Sequence, residues 1–515
     1  MVNKAACAVR RTLLWLIGNE ALFLFFAFLF TSSSVLRMDP LLWYQDSITT
    51  FATYFILPWG MALSLLRLER SVRVNQSKAR ADIAVLFVLL AWLIVPFAIR
   101  FGFRLANIYC WANHIVVFFG VYALVTDADK RHLQSVIDLT SALFAALSFV
   151  LGVMALYCVL TVHNLGEEPV STLANGYVFG LVGDDFFTIG LHYNDTGMFA
   201  VCCALLSLVG FFRRRNPIAR LMHLIPSLMM MLIVVLCQSR TSRYALLGAL
   251  AVGCYGMAAD RLPIRRGVAR HAVAMACALI VLVGGYFISD FTTDAALGHY
   301  ARVRASRLAQ IAPDPSPMPD SAPEAPAQDS AAVEPTVETT LDTAVEAADS
   351  TAPVRPAIDS TFSDRTIIWS NLFDFWRENP KYLVIGNGMH RTGSLLVKNT
   401  MNTVDAIAVH NMYLQFLADY GIIGFVLLIA FFALIVPPAL RVFFARRPKS
   451  QPGDRVFVMI VVALLLTGMM ESQPLAPFSA PNLALFFSLA VLYSLGSEPE
   501  RPTPGVTPLS SAHTL

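Results

Sequence analysis

The chain has 515 residues and a net charge of +3; 56% of the residues are hydrophobic and only 14% charged, with a mean hydropathy of +0.61. A soluble domain carries roughly 25% charged residues, so this composition excludes an ordinary water-soluble enzyme and indicates a polytopic membrane protein. The basic residues cluster between apolar runs without interleaved aromatics, which excludes nucleic-acid binding and leaves them to set membrane topology.

The first apolar run, 13–30, follows Lys4, Arg10 and Arg11 like the front of a signal peptide. No small-x-small cleavage site follows it, so a retained first span is expected. A helix crosses the hydrocarbon in about 20 residues. Runs of about that length recur at 13–30, 47–66, 83–99, 107–126, 139–162, 188–211, 222–238, 243–259, 271–289, 412–436, 455–470 and 481–495. The predicted fold is therefore an all-α polytopic membrane protein of about twelve transmembrane helices, nine of them in 1–289 and three in 412–495.

Asn19 and Glu20 fall inside the first run, where an ionisable group must pair or protonate. They predict either a proton path or a buried tie to Asn113 or His114. Asp39 and Asp46 are the only early carboxylates that could serve a metal, and they lack a ligand cluster. Cys110, Cys158, Cys202, Cys203, Cys237, Cys254 and Cys277 sit in or at the ends of apolar runs, with Cys7 near the N-terminus. They read as small core residues, not as a disulfide or metal framework.

Lys and Arg near span ends stay on the cytoplasmic side. Alternate connections carry Arg67, Arg70, Arg73, Lys78 and Arg80; Lys130 and Arg131; Arg213, Arg214, Arg215 and Arg220; Arg261, Arg265, Arg266 and Arg270; then Arg441, Arg446, Arg447, Lys449 and Arg455. All fall on the side of the N-terminus. Both termini, including the tail 496–515, are expected in the cytoplasm. The acidic Gly166-Glu167-Glu168 piece and the long loop 290–411 are expected on the outer face.

Within that loop, 312–356 is rich in Pro, Ala, Ser, Thr and acids, with Arg355 as its single base. It lacks the apolar mass to offset ordering entropy and is expected to be a disordered insertion, either an inert spacer or an acidic docking segment. After it, apolar residues at helical spacing predict an amphipathic surface helix over 361–377, capped by Ser363 or Asp364 and ended before Pro380. Val384-Ile385-Gly386-Asn387-Gly388-Met389-His390 then predicts a tight turn.

Four places could carry chemistry. Gln238-Ser239-Arg240-Thr241-Ser242-Arg243 puts arginine on the predicted outer face, against the positive-inside bias: Arg240 and Arg243 either snorkel to lipid head groups or clamp an anion bidentately. Arg365, expected in the first turn of the surface helix, works against the helix dipole unless an anion lies near it; pairing with Asp364 or Asp374 is the local alternative. His410-Asn411 stands before the span beginning near Met412. The positive end of that helix disfavours imidazolium, so a neutral, proton-accepting ring is expected there, as a general base or as a structural hydrogen-bonder. His192-Tyr193-Asn194-Asp195 opens the sixth span, where Asn194 either lines a donor site or caps the helix.

Ser239-Arg240-Thr241-Ser242, Asp364-Arg365 with Trp369, the Gly386-Asn387-Gly388 turn and His410-Asn411-x-Tyr413-Leu414-x-x-x-Ala418-x-x-Gly421-x-x-Gly424 together resemble the O-antigen ligase/polymerase superfamily of bacterial inner membranes. The motifs cover roughly 170–430, and the acidic insertion departs from the compact loop usual in that family. The resemblance implies a metal-independent glycosyltransferase C-like fold with no cofactor, and it implies substrates. The donor would be an undecaprenyl-diphosphate-linked glycan, the acceptor lipid A-core, with membrane lipid around both. It implies that Arg240 and Arg365 hold the diphosphate and His410 takes the acceptor proton, with Asn411, Asn194, Trp369 and Arg243 lining the site. A diphosphate leaves readily and needs charge stabilisation more than an acid, so a single inverting displacement is expected. A polysaccharide polymerase and a protein O-oligosaccharyltransferase share these motifs. A lipid-linked glycan transporter, with Glu20 carrying protons, would predict internal repeats, and none is evident.

Overall fold

The computed structural model describes residues 18–31, 55–65, 67, 80–100, 105–163, 180–182, 185–187, 193–262, 267–311, 360–388, 409–444, 451–476 and 479–497. Several predicted features lie outside them: Lys4, Cys7, Arg10, Arg11, Asp39, Asp46, Arg70, Arg73, Lys78, the Gly166 to Glu168 piece, His192, Arg265 and Arg266. The 312–356 tract, His390, the Arg446 to Lys449 cluster and the tail beyond 497 also lie outside.

Each apolar run overlaps a helix. These are α1 (Glu20–Thr31), α2 (Phe55–Leu65), α3 (Ala81–Leu93), α4 (Val95–Arg100), α5 (Leu105–Ile115), α6 (Lys130–Thr161), α7 (Tyr193–Arg213), α8 (Pro217–Leu236), α9 (Arg240–Arg261), α10 (Gly267–Ile311), α11 (Ser360–Glu378), α12 (Pro380–Ile385), α13 (Met412–Phe444), α14 (Asp454–Gly468) and α15 (Ala480–Gly496). Among the described residues, five helices are long and apolar enough to cross a membrane, at Lys130–Thr161, Asn194–Arg213, Pro217–Leu236, Gly267–Val303 and Met412–Phe444. The chain is thus a helical, multi-pass membrane protein.

Several expectations need correction. The all-α fold carries one small exception, an antiparallel strand pair in which Gly180–Val182 meets Asp185–Phe187. The run 83–99 divides at Ile94, because Pro96 suits the first turn of a helix and not its interior. The run 107–126 is α-helical only in part: Val116–Ala123 is a buried π-helical stretch continuing into Leu124–Thr126. Helix α10 does not stop at 289 but runs unbroken to Ile311, so the predicted loop begins as helix. Asn19 and Glu20 are not mid-span. Asn19 Oδ1 accepts from Leu22 N at 3.1 Å, capping a helix that starts at Glu20, and Glu20 pairs with His132 at 2.8 Å, not with Asn113 or His114.

The helices share one continuous core, from Phe23 and Phe28 through Tyr122 and the α7 residues Met198 to Val209, to Phe431, Phe457 and Phe486. Close passages set their directions. Gly248 of α9 faces Leu466 of α14, and Gly253, further along α9, faces Met459, earlier in α14. Helices α9 and α14 therefore run antiparallel, so the start of α9 and the end of α14 share one end of the bundle. The start of α13 joins them there, since Tyr413 Oη donates to Leu465 O at 3.2 Å. The other end is ionic: Arg67 to Asp127 at 2.8 Å, Arg213 to Asp138 at 3.0 Å and Asp454 at 2.9 Å, and Arg455 to Asp260 at 3.3 Å. Helix α7 reaches from one end to the other, about 30 Å at 1.5 Å per residue, which matches the thickness of the hydrocarbon.

Helix α13 is broken near its start. Gly421 has φ 68 and ψ −178, leaving the carbonyls before it without their helical donors. Three donors from elsewhere serve them: Asn387 N to Ala418 O at 2.8 Å, Gly388 N to Asp419 O at 2.9 Å and Trp92 Nε1 to Tyr420 O at 2.9 Å. The predicted Gly386-Asn387-Gly388 turn is thus a cap for a broken helix, and Gly386 and Gly388 both hold positive φ. A Cβ on Gly421 would overlap the Val384 carbonyl as well as strain the backbone. Gly421→Ala is expected to undock α12 and lower stability by about 1–3 kcal/mol. Faster limited proteolysis within 380–390 would register this; unchanged protection would refute it.

Candidate active site at the start of the broken helix

Asn411 is the cap of α13. Its Oδ1 accepts from Tyr413 N and Leu414 N, both at 3.0 Å, and its Nδ2 donates to Met469 O at 2.9 Å, tying the start of α13 to the end of α14. Its side chain is therefore engaged in holding this junction.

His410 adopts φ 52, a left-handed conformation that costs a non-glycine residue on the order of 1–3 kcal/mol. Its neighbour is pinned on both sides. Val409 N donates to Gln415 Oε1 at 2.9 Å and Val409 O accepts from Trp369 Nε1 at 2.9 Å. Trp369 belongs to α11, whose Leu372 and Trp376 form a small separate core with Val409 and Ala418. The surface helix thus packs on the first turns of α13, and its indole sets the backbone that presents His410. Helix α11 begins at Ser360, so Ser363 and Asp364 lie within it and do not cap it, and Arg365 sits in its second turn.

Arg365 and His410 converge on Glu471. Arg365 Nη2 donates to Glu471 Oε1 at 2.8 Å, and His410 Nδ1 lies 3.3 Å from Glu471 Oε2. The Glu471 side chain is 7% exposed and that of Arg365 10%, whereas His410 keeps 41% exposure. A carboxylate can only accept, so Nδ1 carries the hydrogen and Nε2 is left as the acceptor. The negative end of α14 and the buried setting both disfavour a lone carboxylate at 471; the Arg365 guanidinium and the His410 Nδ1 donor offset that cost. Asp374, one local alternative for Arg365, pairs instead with Arg377 at 3.0 Å.

Sequence reasoning passed over Glu471. One signal was available: it is the only acidic residue between Asp454 and Glu498, at the end of an apolar run.

A second group lies at the same end of the bundle, at the start of α9. Ser239 caps that helix, accepting from Ser242 N at 3.4 Å, and donates to Asn194 Oδ1 at 2.8 Å, which locks α9 to α7. Asn194 is thus part of the helix junction. Arg240 is exposed in the first turn of α9. Arg243 lies 3.6 Å from Asp290 and over the rings of Tyr244 and Tyr286 at 5.7 and 5.3 Å, which hold it against α10. The structure therefore brings Arg365, Trp369, Asn411 and His410 into one contact network, while Asn194 and Arg243 make separate contacts at the same end of the bundle, where Arg240 also stands. Among the described residues no three His, Cys, Asp or Glu side chains gather as metal ligands.

Residues 225–429 match the family model described as O-antigen ligase. That segment is similar to the O-antigen ligase/polymerase superfamily. The matched segment holds Arg240, Arg243, Arg365, Trp369, His410 and Asn411; Asn194 and Glu471 fall outside it. A search of curated proteins found no match. The match supports, at the coarse level, a glycosyltransferase-like ligase or polymerase.

Proposed function

We propose that this chain is an O-antigen ligase that transfers a glycan from undecaprenyl diphosphate to lipid A-core. The observation that carries the reading is the set of contacts around Glu471, which orients a histidine with a free accepting nitrogen beside a buried guanidinium. In this reading the acceptor hydroxyl oxygen attacks the anomeric carbon and its proton passes to His410 Nε2. The bond from that carbon to the diphosphate oxygen breaks, and the diphosphate leaves with the electron pair. One displacement inverts the anomeric centre, with no covalent glycosyl-enzyme. The charge gathering on the leaving diphosphate faces Arg365, which uses Nη2 on Glu471 and keeps its other donors, and Arg240 at the start of α9. Trp369 and Asn411 position the histidine. Arg243 and Asn194 hold the Arg240 turn and line the donor side.

The proposed setting is the bacterial inner membrane, with about twelve spans, both termini cytoplasmic and this end of the bundle on the periplasmic face. The loop 290–411, including the 312–356 insertion, would lie on that face too. The ionic end, where most arginines gather, supports this orientation by the positive-inside bias.

Purified protein supplied with undecaprenyl-diphosphate glycan and lipid A-core is expected to form the conjugate in EDTA. Complete dependence on added divalent metal would overturn the metal-free displacement. The acceptor is tested separately by deleting the gene and running lipopolysaccharide on gels. Loss of capped lipopolysaccharide with accumulating lipid-linked polymer is expected. A single-repeat cap would mean a polymerase, and unchanged lipopolysaccharide would point to a protein or exopolysaccharide acceptor.

A further inference from the structure

The ionic end of the bundle, opposite His410, holds a cleft that the proposed transfer does not use. Its cavity of about 400 Å³ is lined by Arg213, Arg214, Arg215, Arg220 and Arg261, with Phe212, Gln451 and Pro452. No acidic residue lines it among the described residues. Arg213 is committed to the fold through Asp138 and Asp454. Arg214, Arg215, Arg220 and Arg261 form no ion pair among the described residues. Arg220 is held in place by stacking, its guanidinium 4.5 Å from the Phe211 ring centroid. Four uncompensated guanidinium groups around one concavity repel one another unless an anion joins them, and their planar forks match phosphate oxygens bidentately.

The rim of the cleft is apolar on one side. Helix α8 starts at Pro217 beside Arg215 and exposes Ile218 (69%), Leu221 (52%), Met222 (68%) and Ile225 (39%). Their i, i+3, i+4, i+7 spacing makes a continuous stripe leading from the arginines toward the middle of the bundle.

We propose that this cleft binds the phosphate head group of an anionic phospholipid, whose acyl chains lie along the Ile218–Ile225 stripe. Phosphate alone would satisfy the arginines but not the stripe, and a zwitterionic lipid would satisfy the stripe while bringing its own cation to the arginines. Basic pockets between helices at a membrane boundary suit anionic head groups for the same reason. The proposal does not depend on the transferase reading, because it involves none of the residues at the His410 end.

The test is native mass spectrometry of the full chain in detergent, titrated with phosphatidylglycerol, phosphatidylcholine or inorganic phosphate. Wild type is expected to retain phosphatidylglycerol at least about tenfold better than phosphatidylcholine. Arg214→Ala/Arg215→Ala/Arg261→Ala is expected to lose that preference, and Arg214→Lys/Arg215→Lys/Arg261→Lys, which preserves charge should the alanine variant fold poorly, to weaken it. Ile218→Ser/Met222→Ser should shorten retention of the lipid with no change in phosphate binding. Equal retention of the two lipids, or equal preference in the lysine variant and wild type, would overturn the proposal. Displacement of phosphatidylglycerol by millimolar phosphate would overturn it in favour of a free-phosphate site.

Discussion

Replacing His410 with alanine is expected to lower glycan transfer by about 10² to 10⁴, the usual contribution of a general base, while donor binding stays near wild type. The variant should fold, because the Arg365–Glu471 pair at 2.8 Å remains and Glu471 keeps a cation when the imidazole is gone. Asn411 still caps α13 through its two 3.0 Å bonds, so the helix start keeps its geometry. The measurement pairs conjugate formation under single-turnover conditions with retention of labelled lipid-linked donor. Transfer within about twofold of wild type would remove His410 from the role of base. Loss of donor retention with loss of transfer would instead make it a binding residue.

Replacing Arg365 with alanine is expected to act twice. Glu471 is nearly enclosed, and removing its closest cation leaves a buried carboxylate with only the 3.3 Å contact to His410. Breaking such a pair by truncating one partner costs about 3–5 kcal/mol, so thermal unfolding in detergent should shift down clearly. Donor retention should fall as well. The double variant Arg365→Ala/Glu471→Ala removes the orphaned charge and is expected to recover most of the stability but not the donor retention or the transfer. The two roles then separate. If the double variant regains transfer, Arg365 serves only to neutralise Glu471; if the single variant loses donor with no change in stability, the pair contributes nothing to the fold.

The five long apolar helices were legible because each is an apolar run of sufficient length, a property that composition and periodicity carry locally. The same holds for α11, whose observed range Ser360–Glu378 brackets the predicted 361–377. Boundaries were less legible where a local signal misled. Ser363 and Asp364 have the chemistry of caps, yet the helix starts earlier. Helix α10 runs on to Ile311 because no proline or glycine pair interrupts it after the apolar run ends. The partner of Glu20 was misassigned for a different reason. Pairing of a buried carboxyl depends on which helices are neighbours, and α6, not α5, presents its histidine there.

The residue types at this end of the protein, a histidine and asparagine before a helix and arginines at the start of another, were set by the sequence alone, as was the membrane character of the chain. Their connection was not. His410 meets Glu471 across 61 positions and Arg365 meets it across 106, contacts that no periodicity encodes. The assignment of Asn411 and Asn194 to helix junctions, and of the Gly386-Asn387-Gly388 turn to the carbonyls freed at Gly421, likewise belongs to tertiary structure. Sequence determines which segments must leave water; only the packing of those segments decides which buried charge finds which partner, because the cost of an unpaired charge is settled by whatever the neighbouring helix supplies.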